Sequence, residues 1–483
     1  MINLLTLSGT ELAKMIRHRM VTSREVVKAH IEHIKKVNPL LNAVVKDRFT
    51  EALKEANLAD SKIRDYPIEA LPPFYGVPCT IKEHFALKGM PNTSGLVHRK
   101  NNISITNATV VERLLSAGAI PLGVTNVSEL GMWMESNNEV YGRTNNPYDR
   151  KRTAGGSSGG EGSIIASGGS PFGLGSDIGG SIRVPSFFNG IFGHKPTGGL
   201  VPNTGHYPTT EGKAIRFLTS GPMAKHAEDL WTILKIIAGD DGKDKGILNY
   251  TLRDPKEVRL KDLTVLNVTD NGLIPVSDEL RFIQQKAIAA LSHAGAKISN
   301  VQLADLKDSF FIWASMLSEA GGRSFKNMMG DGTDINVGLE LTKWMLGFSN
   351  HTLPGILLSF VEDVPKLLPN ITKEFVQKGE NLKKEMKEII GEHGVMLYPS
   401  YPEVAPPHNK PLANLYHWMY TAIFNVMENP VTQVPLGLNQ LGLPLGIQVV
   451  GSHGNDHITI AVAMELEKAF GGWTPPKYLK YHI

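Results

Sequence analysis

Two glycine clusters divided by one apolar run constrain this chain more than any other feature. The first is Thr153-Ala154-Gly155-Gly156-Ser157-Ser158-Gly159-Gly160-Glu161-Gly162; the second is Gly173-Leu174-Gly175-Ser176-Asp177-Ile178-Gly179-Gly180-Ser181-Ile182-Arg183-Val184-Pro185. Glycine permits backbone paths and close approaches that side chains forbid, at an entropic cost on folding. The hexapeptide 155–160 taken alone reads as a flexible linker. Its surroundings do not: the apolar run 164–174 follows at once, then come further glycines with an Asp and an Arg, an alternation that linkers do not normally show.

Two other readings compete for these glycines. Glycine-rich turns can aim backbone N–H groups at a phosphate. Here there is no GxxxxGK[ST], and Gly173-Leu174-Gly175 lacks the third glycine of GxGxxG because Ile178 stands there. Gly155-Gly156-Ser157-Ser158-Gly159 formally matches the GxSxG nucleophile elbow, and His408, His417 and His453 lie downstream as partners for it. An esterase of that kind stays open at this point.

The rest of the chain supplies a scaffold. Ser8 with Glu11 and Thr22 with Glu25 have capping-box spacing, and Val27, Ile31 and Ile34 follow at helical period before Asn38-Pro39, so about 1–70 reads as an N-terminal helical segment. Short apolar runs at 74–81, 119–125 and 164–176 read as buried strands, with more strand-like sequence at 263–268 and 431–451. Helical patterns recur at 109–118, 224–238, 278–294, 371–391 and 456–470. Strands alternating with helices imply an α/β fold, a central sheet sandwiched by helices. The polar stretch 239–244 is a candidate boundary, but later strands can return to the same sheet, so one domain over 1–483 is the preferred reading.

Composition excludes several functions. Fifty basic and 47 acidic residues leave a formal net charge of +3 with no block of like charge, so nucleic acid is not the expected partner. Cys79 is the one cysteine, which rules out an internal disulfide and a Cys-rich metal site and suits an intracellular compartment. The sequence shows no signal peptide and no run of apolar residues long enough to span a membrane.

Both glycine clusters in order, with Ser157 and Ser181 24 positions apart and Gly76-Val77-Pro78-Cys79-Thr80-Ile81-Lys82 upstream, resemble the amidase-signature family. Supporting segments extend the resemblance over most of the chain: Ala117-Gly118-Ala119-Ile120 before Thr125-Asn126, Gly193-His194-Lys195-Pro196-Thr197, Gly221-Pro222-Met223-Ala224, and Gly442-Leu443-Pro444-Leu445-Gly446-Ile447-Gln448. Within that family the chain is most similar to the fatty acid amide hydrolases, particularly the type 2 enzymes, through Lys82-Glu83, Gly89-Met90-Pro91-Asn92 and the stretch 185–196.

The resemblance implies a mixed central sheet and a serine hydrolase that cleaves linear carboxamides through an acyl-enzyme, with no cofactor and no metal. It makes Ser181 the nucleophile, Ser157 a proton relay in a cis peptide, and Lys82 the general base. Such a base must be neutral, so its pKa must fall from about 10.4 by roughly 3 units, a cost of about 4 kcal/mol. Backbone N–H groups at Ile178, Gly179, Gly180 and Ser181 would hold the oxyanion, while Ser158, Asp177 and Arg183 would fix the glycine loops. The family often has Thr where Ser176 stands, so the hydroxyl is kept. The implied substrate is a lipid-like small amide, a fatty acid amide or N-acyl amine. The alternatives are a glutaminase component of a tRNA-dependent amidotransferase, or a small-molecule amidase or esterase. Apolar residues over about 309–369, among them Phe310, Phe311, Trp313, Met345, Leu346 and Phe348, would build core, an acyl channel or a cap touching a membrane surface peripherally. The resemblance also allows a homodimer.

Overall fold

The computed structural model describes residues 3–65 and 67–477. In chain order its strands are β1 (Val44–Asp47), β2 (Pro78–Lys82), β3 (Ile120–Thr125), β4 (Asn137–Asn138), β5 (Gly142–Arg143), β6 (Phe172–Asp177), β7 (Phe192–Lys195), β8 (Thr219–Ala224), β9 (Thr264–Asn267), β10 (Lys297–Asn300), β11 (Gly394–Tyr398), β12 (Val431–Leu438) and β13 (Pro444–Gly451). Among the described residues, eleven of them form one sheet in the order β1-β3-β2-β6-β8-β7-β12-β13-β11-β9-β10, and β4 pairs with β5 separately. The sheet is mixed: β3-β2-β6 and β11-β9-β10 run parallel, and the middle from β6 to β11 through β8, β7, β12 and β13 is antiparallel. Strands from both sides of the polar stretch 239–244 thus share one ladder.

A strand sends successive side chains to opposite faces, and here both faces are apolar. Val395 and Leu397 of β11 and Val449 of β13 join one core with the helices Ala227–Ile237 and Asp456–Phe470. Their neighbours Met396, Tyr398 and Val450 join another with the helices Ser309–Ala320 and Met419–Val426. A sheet buried on both sides between helices follows directly.

Several local expectations hold. The helices expected at 109–118, 278–294, 371–391 and 456–470 occur as Thr109–Ser116, Asp278–His293, Pro369–Ile390 and Asp456–Phe470. Thr22 and Glu25 close a full capping box. Ser8 accepts from Glu11 N, but its own hydroxyl hydrogen-bonds Glu228, tying that helix start to the helix Ala227–Ile237.

Two expectations need correction. The first 70 residues are not wholly helical: Asn42, at φ 49°, ends the helix Ser23–Leu41, and Val44–Asp47 joins the sheet edge against β3. The run 164–176 is not one strand; the helix Gly159–Ala166 precedes β6. All of that helix's residues are buried, so it has no polar face and no helical period to betray it.

The same helix explains one glycine. A Cβ at Gly160 would lie 2.6 Å from Asn126 O and 2.8 Å from Ala43 O, both backbone atoms that cannot swing aside. Gly160→Ala should therefore destabilise the fold by about 1–3 kcal/mol. Gly338→Ala, in a helix with only Asn336 nearby at 3.6 Å, should be neutral or slightly stabilising. Thermal melts of the two variants test this, and equal midpoints would contradict it.

Candidate active site

Parallel strands bring their C-terminal ends to one edge of a sheet, where α/β proteins commonly place their ligands. Lys82 is the last residue of β2, and Ser176 and Asp177 end the adjacent parallel strand β6. Lys82 Nζ lies 2.8 Å from Ser157 Oγ, 2.9 Å from Ser176 Oγ and 3.3 Å from Ser176 O. Ser157 precedes the helix Gly159–Ala166, and the Gly156–Ser157 peptide is cis. Ser181 follows β6, and its carbonyl accepts a 3.2 Å bond from Ser158 N, which joins the two glycine clusters. Far from being a linker, 153–162 is buried throughout.

The elbow reading fails on geometry. His453 Nε2 bonds Met427 O at 2.9 Å, His417 faces Glu403 at 3.5 Å, and His408 packs against Glu135 and Asn145. The group on Ser157 is the Lys82 amine.

Burial pushes the Lys82 ammonium down to about 7, against the opposing pull of Asp177 and Glu161. Burial also pushes the Glu161 carboxyl up to about 8, although Thr80 and Thr125 hydrogen-bond it at 2.7 and 2.9 Å. A carboxyl largely protonated at neutral pH leaves the amine free to lose its proton. Burial pushes Asp177 up as well, but the Arg183 charge and hydrogen bonds outweigh this and hold it below the usual carboxylate range.

Asp177 and Arg183 organise the second cluster. The guanidinium reaches Asp177 through Nε at 3.0 Å and Nη2 at 2.9 Å, and also bonds Thr421 O, Gln448 Oε1 and Asn425 Oδ1. The Asp177 carboxylate accepts from the N–H groups of Gly180 at 2.7 Å and Ile182 at 3.1 Å. Gly180 therefore departs from the expected oxyanion set: its N–H is committed to Asp177. Its φ of 120° demands glycine, and a Cβ there would run into Thr421. Ile178, Gly179 and Ser181 face a cavity.

That cavity holds about 300 Å³, and its walls include Ser157, Ser176, Met132, Phe310, Trp313, Leu317 and Trp418. Trp313 donates to Ile178 O at 3.1 Å and meets Trp418 edge to face, which pins the loop after β6. The apolar segment at about 309–369 divides three ways. Ile312 and Met316 are core, Phe310, Trp313, Leu317 and Leu358 line the cavity, and Met345 and Phe348 are 66% and 77% exposed. Among the described residues no helix is long and apolar enough to cross a membrane, and no cluster of three or more His, Cys, Asp or Glu is placed to hold a metal ion.

Sequence reasoning missed Glu161 and His206. Glu161 lies inside the first cluster, bonded to Thr80 and Thr125 and near enough to Lys82 to act on its charge, and nothing in the glycine pattern marks it. His206 Nε2 is 2.8 Å from Ser176 Oγ and its Nδ1 is 2.8 Å from Pro208 O, and nothing in its local sequence marks it. Glu83 proves to shape a loop, accepting from Thr93 N, Ser94 N and the Tyr141 hydroxyl. His194 bonds Thr432 and Asp456 between β7, β12 and the last helix, a structural tie.

The family model for amidases matches residues 25–460. The chain is 47% identical to the human protein named fatty-acid amide hydrolase 2, over 98% of this chain and 91% of that one. It is 28% identical to an acylamidase of Rhodococcus erythropolis, over 98% of each. Among solved structures a fatty acid amide hydrolase superposes with a TM-score of 0.79 at 25% identity, covering 97% of this chain and 86% of that one. Matched by the family model over most of its length and by relatives in sequence and fold, the chain belongs to the amidase-signature family and is an amide hydrolase.

Proposed function

We propose that this enzyme hydrolyses fatty acid amides or N-acyl amines, with Ser181 as nucleophile, Ser157 as relay and Lys82 as base. The observation that carries the reading is the 2.8 Å contact between a fully buried lysine and Ser157 on the wall of a largely apolar cavity. Neutral Lys82 takes the proton of Ser157 as Ser157 takes that of Ser181, whose oxygen bonds to the substrate carbonyl carbon. Backbone N–H groups at Ile178, Gly179 and Ser181 border the place where the oxyanion develops. The proton returns through Ser157 to the leaving nitrogen as the C–N bond breaks, and water then releases the acid by the same route.

The cavity lining favours an acyl chain. Its size lies at the lower end of small-ligand pockets, of about 300–1,000 Å³, and aromatic and aliphatic side chains dominate its walls. Most of that wall offers no hydrogen-bond partner to the polar end of glutamine, which favours an acyl chain over the glutaminase substrate. The helix Leu353–Val361 gives Leu358 and Val361 to the cavity while Leu357 and Phe360 face outward, 40% and 66% exposed. Phe348, 77% exposed, adds a further apolar side chain from the same segment, and such side chains suit peripheral contact with a lipid surface from which such a substrate would come.

A fluorophosphonate should label Ser181, and Ser181→Ala and Lys82→Ala should each lose amide turnover by at least about a thousandfold with the fold intact. Labelling of Ser157 alone, or near-normal turnover in Ser181→Ala, would reject the assignment. Because the base works in its neutral form and Lys82 titrates at about 7, kcat/KM should rise through that pH and be lost below it. A flat profile across neutrality would contradict a lysine base. Oleamide presented in vesicles should be turned over in preference to glutamine and short aryl amides. Phe348→Glu with Phe360→Glu should slow vesicle-borne oleamide while leaving a short soluble amide unaffected. A preference for glutamine would overturn the substrate reading.

A further inference from the structure

We propose that His206 is a positioning residue that sets the direction of the hydrogen bonds around Lys82, by taking the Ser176 proton so that the lysine lone pair is left for Ser157. The inference rests on Lys82 as base and follows from counting protons. Pro208 O can only accept, so His206 Nδ1, 2.8 Å away, carries the ring proton. In a neutral imidazole Nε2 is then an acceptor, and its 2.8 Å partner Ser176 Oγ must donate to it. With its proton committed, Ser176 Oγ can only accept from Lys82 Nζ at 2.9 Å, as Ser176 O does at 3.3 Å. A neutral amine has two N–H groups and one lone pair. Both N–H groups go to Ser176, and the lone pair faces Ser157 Oγ at 2.8 Å. Ser157 thereby donates to the lysine and keeps its own lone pairs for the nucleophile, which is the polarity that deprotonation of Ser181 requires.

The surroundings keep the ring in that state. Burial, with Lys82 nearby, pushes His206 down to about 3, so it stays neutral wherever the enzyme works. His84 and Phe85 pack on its ring edge to face, at 5.4 and 5.1 Å. The other titratable groups around the lysine are Glu161, Asp177 and His84, the last also held neutral by burial. Without His206 the Ser176 hydroxyl is free to turn onto the lysine lone pair and compete with Ser157.

Nitrogen-15 NMR of the histidine-labelled enzyme, with His206 identified by loss of its signals in His206→Gln, reads the tautomer directly. The Nδ1–H form, unchanged from about pH 6 to pH 9, is expected; an Nε2–H form or an imidazolium would overturn the proposal. Kinetics supply the second readout. His206→Leu should lower kcat by about tenfold or more with KM little changed. It should also move the acidic limb to lower pH, because protonated Lys82 would then leave the Ser176 hydroxyl without an acceptor. His206→Gln, whose amide can donate to Pro208 O and accept from Ser176, should stay within about threefold of the parent. Equal losses in both variants with an unmoved limb would reduce His206 to packing and sink the idea. Lys82→Ala separates the two readings: turnover retained there would refute the lysine base whatever tautomer His206 shows.

Discussion

The buried ion pair between Asp177 and Arg183 is the interaction on which the rest of the site depends. Both side chains are fully excluded from solvent, and isolated charges there would be prohibitive. Each therefore needs a complete set of partners. Arg183 finds them on Thr421 and Asn425 of the helix Met419–Val426 and on Gln448 of β13, and Asp177 finds them in the N–H groups that follow it. One pair thus ties the end of β6, the loop that carries Ser181 and the far half of the sheet into a single unit. Removing one partner of such a pair typically costs about 3–5 kcal/mol, much of it from the charge left behind.

The pair also shapes the proton chemistry. An unneutralised Asp177 would draw Lys82 toward its charged form, and the Arg183 charge opposes that. Glu161 has the same capacity but sits among Thr80, Thr125 and apolar strands, where burial pushes it toward its protonated form. Two acids near one lysine are managed in opposite ways, one by pairing and one by protonation. With the acids so managed, burial is left to push the Lys82 ammonium down to about 7. In the role proposed for it, His206 completes the arrangement by holding the Ser176 proton, so that the single lysine lone pair is left for Ser157.

Much of this was legible beforehand, for reasons that differ between residues. Glycines that admit close approach and a strand ending on lysine are local features, and their order carried the resemblance to the amidase-signature family that implied Lys82, Ser157 and Ser181 as a set. Capping residues and apolar periods marked the long amphipathic helices. The fully buried helix Gly159–Ala166 left no such trace, because periodicity shows only where one face meets water, and the edge strand β1, four residues long, is too short to show alternation. Glu161 and His206 escaped notice because their significance lies in partners distant along the chain.

The sequence by itself determined the α/β class from local pattern and the family from motif order, and through that resemblance it named Lys82 and Ser157, which meet at the end of β2. The tertiary structure alone decided which residues of the loop after β6 line the cavity, that the Gly180 N–H serves Asp177, and how the apolar segment divides among core, cavity wall and exposed surface. Those outcomes depend on which atoms are brought within about 3 Å of one another and on which are shut away from water, and neither is encoded by residue spacing.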